Sequence, residues 1–323
     1  MSSMNRLPNP PKVPRITVAE TRSQLGPTSR GSIAAGAVAA VLVLVAAAAQ
    51  AGEPTGPDAC PRSGACPFDA LPTTGDGHGS NIVVLGTDPA RARAIRDHAE
   101  AMRRKAFANL LGEPSPASWL VPCEVHVHAT IDSFANAVGG PPIDARGATS
   151  LEFAGERVVS RRIDVMGDGP GDVPDALDHE LVHVVLADHF VHAPPPRWAD
   201  EGLALLFDAP EKQGEHAADF QAAARRGMAW SAAELVSLED YPDEGGRQRV
   251  FYGQSAALVR WLVARRDAAT FIRFLDDVDD VGIEPALRRH YALESLSSVT
   301  PAWKEVAPIN SLGLADTRRE RTP

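Results

Sequence analysis

The chain has 323 residues, of which 44% are hydrophobic and 23% charged, and this composition supports a buried core and excludes a globally disordered protein. Its 42 acidic and 32 basic residues give a net charge of -10, which argues against nucleic acid as a partner because phosphate binding needs a concentrated basic surface. Three cysteines are too few for a disulfide-built scaffold or a zinc module held by four cysteines.

The first 51 residues predict a basic arm followed by a membrane-crossing or targeting segment. Residues 1–30 are polar and carry five basic residues against one acidic residue, whereas residues 31–51 are an almost unbroken apolar run. About 20 apolar residues suffice to cross a bilayer, and the positive flank predicts a cytoplasmic arm. Ala49-Gln50-Ala51 also fits a cleavage site, so a cleaved signal sequence and a retained transmembrane anchor both stay open. We therefore expect an extracytoplasmic protein of the cell envelope, either secreted or single-pass membrane-anchored through residues 31–51.

Two further segments are predicted to lie outside the folded domain. Residues 52–80 are rich in Gly and Pro and predict a linker. Cys60 and Cys66 lie in this linker and would close a small loop in an oxidising compartment, but the third cysteine, Cys123, leaves the pairing open. Residues 307–323 are polar and predict a loose tail, so the folded domain is expected over residues 81–306.

Strand patterns are concentrated in the first half of this domain. Continuous or alternating apolar runs predict strands at residues 82–85, 124–129, 149–153 and 157–165. Apolar residues at helical spacing predict helices at residues 89–111, 132–138, 174–190, 197–207, 215–227, 250–266 and 268–276. The sequence thus predicts an α+β protein, in which a small N-terminal α/β lobe with a mixed sheet precedes a mainly helical lobe.

The segment His179-Glu180-Leu181-Val182-His183 matches the H-E-x-x-H motif. Residues four apart lie on one face of a helix, so the imidazoles of His179 and His183 can reach a single Zn²⁺. Glu180 projects beside them and can take a proton from the water that attacks the substrate. The alternative is an amphipathic helix whose two histidines make ordinary hydrogen bonds.

A catalytic zinc needs a third protein ligand and an open position for water, and Glu201 is the candidate ligand. It lies 18 positions after His183, a gap that fits the end of one helix, a proline turn and the first turn of an antiparallel helix. The neighbouring Gly202 has no side chain, which lets two helix backbones approach closely.

Taken together, His179-Glu180-x-x-His183 and Trp198-x-x-Glu201-Gly202 resemble the gluzincin metallopeptidases, and in particular the small peptidase-MA-like domain proteins of bacteria. The resemblance covers residues 81–306 and implies a zincin-like fold with the zinc site between the two lobes. It implies Zn²⁺ held by His179, His183 and Glu201, with Glu180 as general base and a peptide or protein as substrate. It also implies a later helix such as 251–259 and a terminal helix that carries Trp303.

The chain departs from this family pattern in two places. The acid that some gluzincins carry four residues after the ligand glutamate is replaced by Leu205, so Asp200 or Asp208 is the candidate for orienting a zinc histidine. The Gly-x-Met-Glu-Asn signature of gluzincin aminopeptidases is absent from the sequence, which disfavours an exopeptidase.

Tyr252 is the candidate for stabilising the oxyanion of the tetrahedral intermediate, with packing between helices as the alternative. His189 and His192 either serve the same role or simply end the motif helix. Trp198 is expected in the core rather than at a substrate.

Three further features have a structural interpretation that we favour. His126 and His128 share a strand face with Glu124, where a solvated or cleft-lining face is favoured over a second metal site. The strand around Phe153 either accepts an extended peptide at its edge or packs as an ordinary hairpin. The acidic run at residues 276–280 lacks the spacing of a calcium loop and predicts a solvated helix end.

The sequence therefore predicts a zinc metallopeptidase, a hydrolase of gluzincin type. Two alternatives stay open: a non-catalytic, membrane-tethered protein that binds zinc or a partner, and a zinc hydrolase of a non-peptide substrate.

Overall fold

The computed structural model of the chain describes residues 80–116, 118–139, 146–167, 173–242 and 245–299, together with the backbone of two strands at residues 15–22 and 38–44. Most of the predicted linker at 52–80 and the whole predicted tail at 307–323 lie outside these residues. Trp303, Cys60 and Cys66 also lie outside them, so their predicted roles are not addressed by the structure.

One mixed sheet contains the described strands, which are β1 (Arg15–Arg22), β2 (Val38–Leu44), β3 (Ile82–Leu85), β4 (Cys123–His128), β5 (Gly147–Phe153) and β6 (Val158–Met166). Their order across the sheet is β2-β1-β5-β6-β4-β3. The neighbours β3, β4 and β6 run parallel, whereas β5 pairs antiparallel with β6 on one side and with β1 on the other. The edge of β5 near Phe153, considered above as a place for an added peptide, therefore pairs with β1.

The prediction of a transmembrane anchor at residues 31–51 is wrong for the part that the structure describes, whereas the alternative of a cleaved signal sequence stays a prediction. Residues Val38–Leu44 form a strand that pairs antiparallel with β1. Among the described residues, none of the helices has the length and apolar character needed to cross a bilayer. A continuous apolar run fits either a strand or a helix, and valine favours the strand. The single-pass membrane location and the membrane contact were inferred from this anchor, so they are not supported either.

The described helices are α1 (Pro89–Ala106), α2 (Ile131–Val138), α3 (Leu177–His189), α4 (Arg197–Leu205), α5 (Pro210–Arg225), α6 (Ala232–Val236), α7 (Gly245–Arg265), α8 (Ala268–Val281) and α9 (Ile283–Tyr291). The start of α1 shows why the local pattern is informative. The Asp88 carboxylate accepts hydrogen bonds from the amides of Ala90 and Arg91 over 3.0 and 3.1 Å, and Pro89 occupies the first turn, where its missing N–H costs nothing.

The main core lies between one face of the sheet and the helices α1 and α3. Alternate residues of the central strands, such as Val125 and Ile163, are buried there against Ile95 of α1 and Leu181 of α3. Helices α4 to α9 continue from this layer, with α4 and α5 packed on α7, and α8 packed on α9. The predicted α+β class, with a small mixed sheet and a mainly helical remainder, is confirmed.

A second, smaller core lies on the opposite face of the sheet, under α2. It consists of Phe134, Ala148 and Met166, each at most 5% exposed. Because side chains alternate along a strand, Met166 faces α2 whereas its neighbour Val165 faces the main core. The sheet therefore separates two layers that do not share side chains.

Two glycines allow the helices of the main layer to approach closely. A Cβ at Gly202 of α4 would lie 2.4 Å from Val259 Cγ2 and 2.8 Å from the carbonyl oxygen of Ser255, both in α7. A Cβ at Gly253 of α7 would lie 2.1 Å from the carbonyl oxygen of His216 in α5. The spacing of α4, α5 and α7 therefore depends on the absence of side chains at these positions.

Candidate metal centre

Helices α3 and α4 bring His179, His183 and Glu201 together. Each side chain offers one ligand atom, and these atoms lie within 4.8 Å of one another. His179 Nε2 is 3.4 Å from Glu201 Oε2, and the two imidazole rings are 5.0 Å apart between centroids. All three residues are at most 3% exposed. The structure thus places the three residues that the sequence named as metal ligands in one buried cluster.

The chain reversal between α3 and α4 follows from the prolines that separate them. Helix α3 ends at His189, before the run of prolines at 194–196. The carbonyl oxygen of Pro196 then accepts hydrogen bonds from the amides of Ala199 and Asp200, over 2.8 and 3.0 Å, and starts α4. Glu201 lies in this first part of α4, which places its carboxylate beside α3.

A carboxylate lies behind each histidine. His183 Nδ1 is 2.9 Å from Asp200 Oδ1, and His179 Nδ1 is 3.4 Å from Asp208 Oδ2. A carboxylate at one ring nitrogen fixes the tautomer and the direction of the ring, and leaves the other nitrogen as a ligand. The sequence named Asp200 and Asp208 as alternatives for this role, and the structure places both, one at each histidine.

Charge and burial shift the pKa values of this cluster in opposite directions. Burial opposes protonation of His183, but the charge and hydrogen bond of Asp200 outweigh it and raise the pKa of His183 to about 9. Burial also opposes ionisation of Glu201, but contact with His179 and the charges of both histidines lower the pKa of its carboxyl.

Asp208 is held ionised by a neighbour outside the cluster. The Lys212 ammonium lies 3.1 Å from Asp208 Oδ2 in a buried position. Burial alone would raise the pKa of Asp208, but the charges of Lys212 and His179 lower it to about 2. The carboxylate behind His179 therefore keeps its negative charge at neutral pH.

Strand β5 positions Glu180, the predicted general base. Thr149 Oγ1 donates a hydrogen bond to Glu180 Oε2 over 2.7 Å, and Glu180 is fully buried. A Cβ at Gly147 would lie 2.6 Å from Glu180 Oε1 and 2.8 Å from the Cβ of Ala176. The strand thus holds one carboxylate oxygen through Thr149 and makes room for the other through the missing side chain of Gly147. Neither Thr149 nor Gly147 was predicted from the sequence, since neither belongs to a motif.

Tyr241 is a further residue that the sequence analysis missed. It lies between α6 and α7, and its hydroxyl donates a hydrogen bond to Glu201 Oε1. The Arg197 guanidinium lies 4.8 Å from the centroid of the Tyr241 ring. Burial and the Glu201 charge raise the pKa of Tyr241 well above its ordinary value, so the phenol keeps its proton. The available signal was rarity, because the chain has 3 tyrosines.

Tyr252, the sequence candidate for oxyanion stabilisation, lies in the same aromatic layer. Its ring centroid is 6.1 Å from that of Tyr241 and 5.7 Å from that of His216, and the residue is 1% exposed. Its role at the reacting group stays a prediction.

The other histidines singled out in the sequence lie away from the cluster. His189 pairs with Asp276 over 2.8 Å at the surface, and the His192 side chain is 70% exposed. On β4, His126 pairs with Glu124 over 3.0 Å. None of these side chains belongs to the metal-ligating group found in the described residues.

Two remaining features have their favoured structural roles. Trp198 is buried, and its ring packs edge-to-face on Phe271 with centroids 6.0 Å apart. The acidic residues 276–280 lie in the last turns of α8.

The residues of the cluster fit a zinc ion. Two imidazole nitrogens and one carboxylate are a zinc donor set, and zinc–ligand distances of about 2.1 Å imply a separation of roughly 3.4 Å between ligands of a tetrahedral site. The distance from His179 Nε2 to Glu201 Oε2 is 3.4 Å. His183 Nε2 is buried and has no hydrogen-bond partner among the described residues, which a bound cation would correct.

Comparisons with protein-family models, with curated proteins and with solved structures found no match for this chain. The chemistry of the centre is therefore inferred from its own residues.

Proposed function

We propose that this protein is a zinc-dependent metallopeptidase of gluzincin type, with a zincin-like arrangement of the sheet and the helices α3 and α4. The observation that carries the proposal is the convergence of His179, His183 and Glu201 in a buried cluster. Two histidines and one glutamate are a ligand set of catalytic zinc sites, which keep a fourth position open. The carboxylates behind the histidines support the same assignment, because they direct both rings.

When bound by these residues, Zn²⁺ would polarise the scissile carbonyl and make water acidic enough to react near neutral pH. Glu180 would take the proton of the attacking water and deliver it to the nitrogen of the leaving amine. Thr149 donates to Glu180 Oε2 and so orients the carboxylate that would take this proton. The absence of a side chain at Gly147 makes room for the other carboxylate oxygen, Oε1.

Tyr241 acts on the ligand glutamate in this proposal. Its hydroxyl donates to Glu201 Oε1, which leaves Oε2, on the side of His179, as the oxygen for the metal. Tyr241 is thus a positioning residue, because it acts through Glu201. Tyr252, in the same aromatic layer, is the candidate donor to the oxyanion.

The proposal is tested by metal analysis and proteolysis on the same four proteins. These are the full chain, Glu201→Ala, Glu180→Gln and, as a matched control, Glu284→Gln, which changes an exposed carboxylate of α9. Each protein is loaded with Zn²⁺ and desalted; its zinc content is measured by mass spectrometry and its activity on fluorescent casein. We expect Glu201→Ala to lose zinc, and Glu180→Gln to keep zinc but hydrolyse casein about 10²–10⁴-fold more slowly.

Two outcomes would contradict the proposal at different steps. Equal zinc in Glu201→Ala and the unmodified chain removes Glu201 from the ligand set. Undiminished hydrolysis by Glu180→Gln removes the general base. Bound zinc without turnover of casein or any member of a peptide library would instead indicate a protein that binds zinc without catalysis, or a hydrolase of another substrate.

A further inference from the structure

A chain of hydrogen-bonded side chains lies on the face of the sheet opposite the metal centre. Ser133 Oγ is 2.9 Å from His128 Nδ1, and His128 Nε2 is 2.7 Å from Asp164 Oδ1. The Arg162 guanidinium donates to both carboxylate oxygens of Asp164, each over 2.7 Å. A hydroxyl, an imidazole and a carboxylate are thus connected in series, and the carboxylate is fixed from behind.

The donors and acceptors of this series can be assigned. An ionised carboxylate accepts only, so Nε2 of His128 carries a hydrogen, and in the neutral form of the ring Nδ1 then has the lone pair. Burial opposes ionisation of Asp164, but the hydrogen bonds from Arg162 and His128 lower the pKa of its carboxyl. With the ring in this neutral form, the Ser133 hydroxyl donates to Nδ1, which is the arrangement that activates a serine for nucleophilic attack.

Exposure differs sharply along the series. Asp164 is 1% exposed and His128 is 9% exposed, whereas Ser133 is an exposed residue. The His128 ring also packs edge-to-face on Phe134, with centroids 5.8 Å apart. The base and the group that orients it are thus held in place by packing, while the hydroxyl is accessible to a substrate.

The place of Ser133 in the fold also suits a reactive group. It lies in the first turn of α2, directly after the carboxyl end of β4, and β4 runs parallel to β3 and β6. Ligands of open α/β sheets bind beyond the carboxyl ends of parallel strands. The first-turn amides of a helix have no acceptor within the helix, so those of Ile131 and Asp132 are donors for a developing negative charge beside Ser133.

We propose that Ser133 is the nucleophile of a second, metal-independent site that transfers acyl groups from carboxylic esters. Ser133 Oγ attacks the ester carbonyl carbon and passes its proton to His128 Nδ1. The bond from the carbonyl carbon to the alcohol oxygen then breaks, and the alcohol leaves with that proton. Water attacks the acyl–Ser133 ester with His128 as base, releases the carboxylic acid and restores the serine.

Asp164 is a positioning residue in this scheme, because it acts through His128. Serine, histidine and aspartate have the roles of a hydrolytic triad here, with the two ring nitrogens exchanged relative to the usual arrangement. The same bonds also hold α2 on the sheet, so the test needs a readout that packing alone does not change.

Covalent labelling of the full chain by a fluorophosphonate, which reacts with activated serines, provides this readout. Labelling is followed by intact mass and located by peptide mapping, with and without a metal chelator. The variants are Ser133→Ala, His128→Gln and Asp164→Asn, and the control is Ser237→Ala, which removes another exposed hydroxyl. Thermal unfolding of each variant shows whether it folds.

We expect one adduct on Ser133 in the unmodified chain and in Ser237→Ala, at rates that the chelator leaves unchanged. Ser133→Ala should not be labelled, and His128→Gln should be labelled about 10²-fold more slowly. Release of p-nitrophenol from p-nitrophenyl acetate should follow the same order. The proposal is overturned by an unlabelled Ser133 in the unmodified chain, or by labelling without p-nitrophenol release above the Ser133→Ala rate. The chelator removes metal and so affects only the proposed zinc site. A negative result for Ser133 would therefore not bear on the proposed zinc peptidase.

Discussion

The two faces of the sheet carry polar networks with opposite exposure. On the α3 face, His179, His183 and Glu201 are at most 3% exposed, and all three point their ligand atoms at one another. On the α2 face, His128 and Asp164 are buried. The hydrogen-bonded series that they form ends at Ser133, which is an exposed residue. Alternation along neighbouring strands separates the networks, since successive side chains of a strand point to opposite faces.

Charge balance explains why the two networks suit different chemistry. On the α2 face, Arg162 already neutralises Asp164 with two hydrogen bonds, so this network needs no cation. On the α3 face, Asp200, Glu201 and Asp208 all lie beside the two histidines, and Lys212 is the added cation beside Asp208. Buried carboxylates are stable only when they are paired or coordinate a metal. This difference in charge balance supports the proposals of a metal on the α3 face and a nucleophile on the α2 face.

The largest expected effect tests whether the two faces are independent. Phe134→Ala removes the main side chain of the small core under α2, which is fully buried. We expect the free energy of unfolding to fall by about 3–5 kcal/mol, measured by urea denaturation, because a buried aromatic ring is replaced by a cavity. Zinc content of the folded protein should not change. The control is Leu120→Ala, since Leu120 is 91% exposed and surface changes stay within about 0.5 kcal/mol. Loss of zinc from folded Phe134→Ala would show that the faces are coupled.

A smaller effect is expected from the carboxylate behind His179. Asp208→Asn removes the charge that directs the His179 ring, so zinc affinity should fall about 10–100-fold in competition with a chelating dye. Asp279→Asn, which changes an exposed carboxylate of α8, is the matched control. Fluorophosphonate labelling on the other face should be unchanged. Equal affinity in Asp208→Asn and the unmodified chain would mean that Asp208 only balances Lys212.

The smallest effect is expected at Tyr241. Tyr241→Phe removes one hydrogen bond to Glu201 and should lower the free energy of unfolding by about 0.5–1.5 kcal/mol in thermal or urea denaturation. Zinc affinity should fall by less than in Asp208→Asn. Tyr291→Phe is a close control, because the Tyr291 hydroxyl is buried and has no hydrogen-bond partner in the described part of the chain. An equal loss of zinc affinity in both variants would exclude a positioning role for Tyr241.

Local sequence patterns predicted those helices in which residue type and residue spacing both indicate a helix. Apolar spacing predicted a helix from residue 89, where α1 begins, and the four-residue spacing of His179 and His183 predicted that both rings share a helix face. Helix α6 escaped prediction, because it has 5 residues and depends on the capping box between Ser231 and Glu234.

Contacts between residues far apart in the chain were not predicted from the sequence, because they depend on tertiary packing. Tyr241 meets Glu201 across 40 positions of the chain, and Thr149 meets Glu180 across 31, so neither pair shares a motif. The apolar run at residues 31–51 predicted a transmembrane anchor or a signal sequence, because length and polarity alone do not separate a strand from a helix. Pairing of Val38–Leu44 with Arg15–Arg22 is a long-range feature without a local signal.

Gly202 connects the position of the proposed ligand Glu201 to the packing of α4 on α7, and this connection limits which substitutions the chain can accept. Its missing side chain lets α4 lie against Val259 and Ser255 of α7, one position away from Glu201. Any replacement forces the two helices apart and carries the carboxylate with them. In a saturation scan, this glycine should tolerate as few substitutions as the ligand beside it. A descendant of this chain would then lose the proposed metal centre in a single step, by exchange of a residue that is not among its proposed ligands.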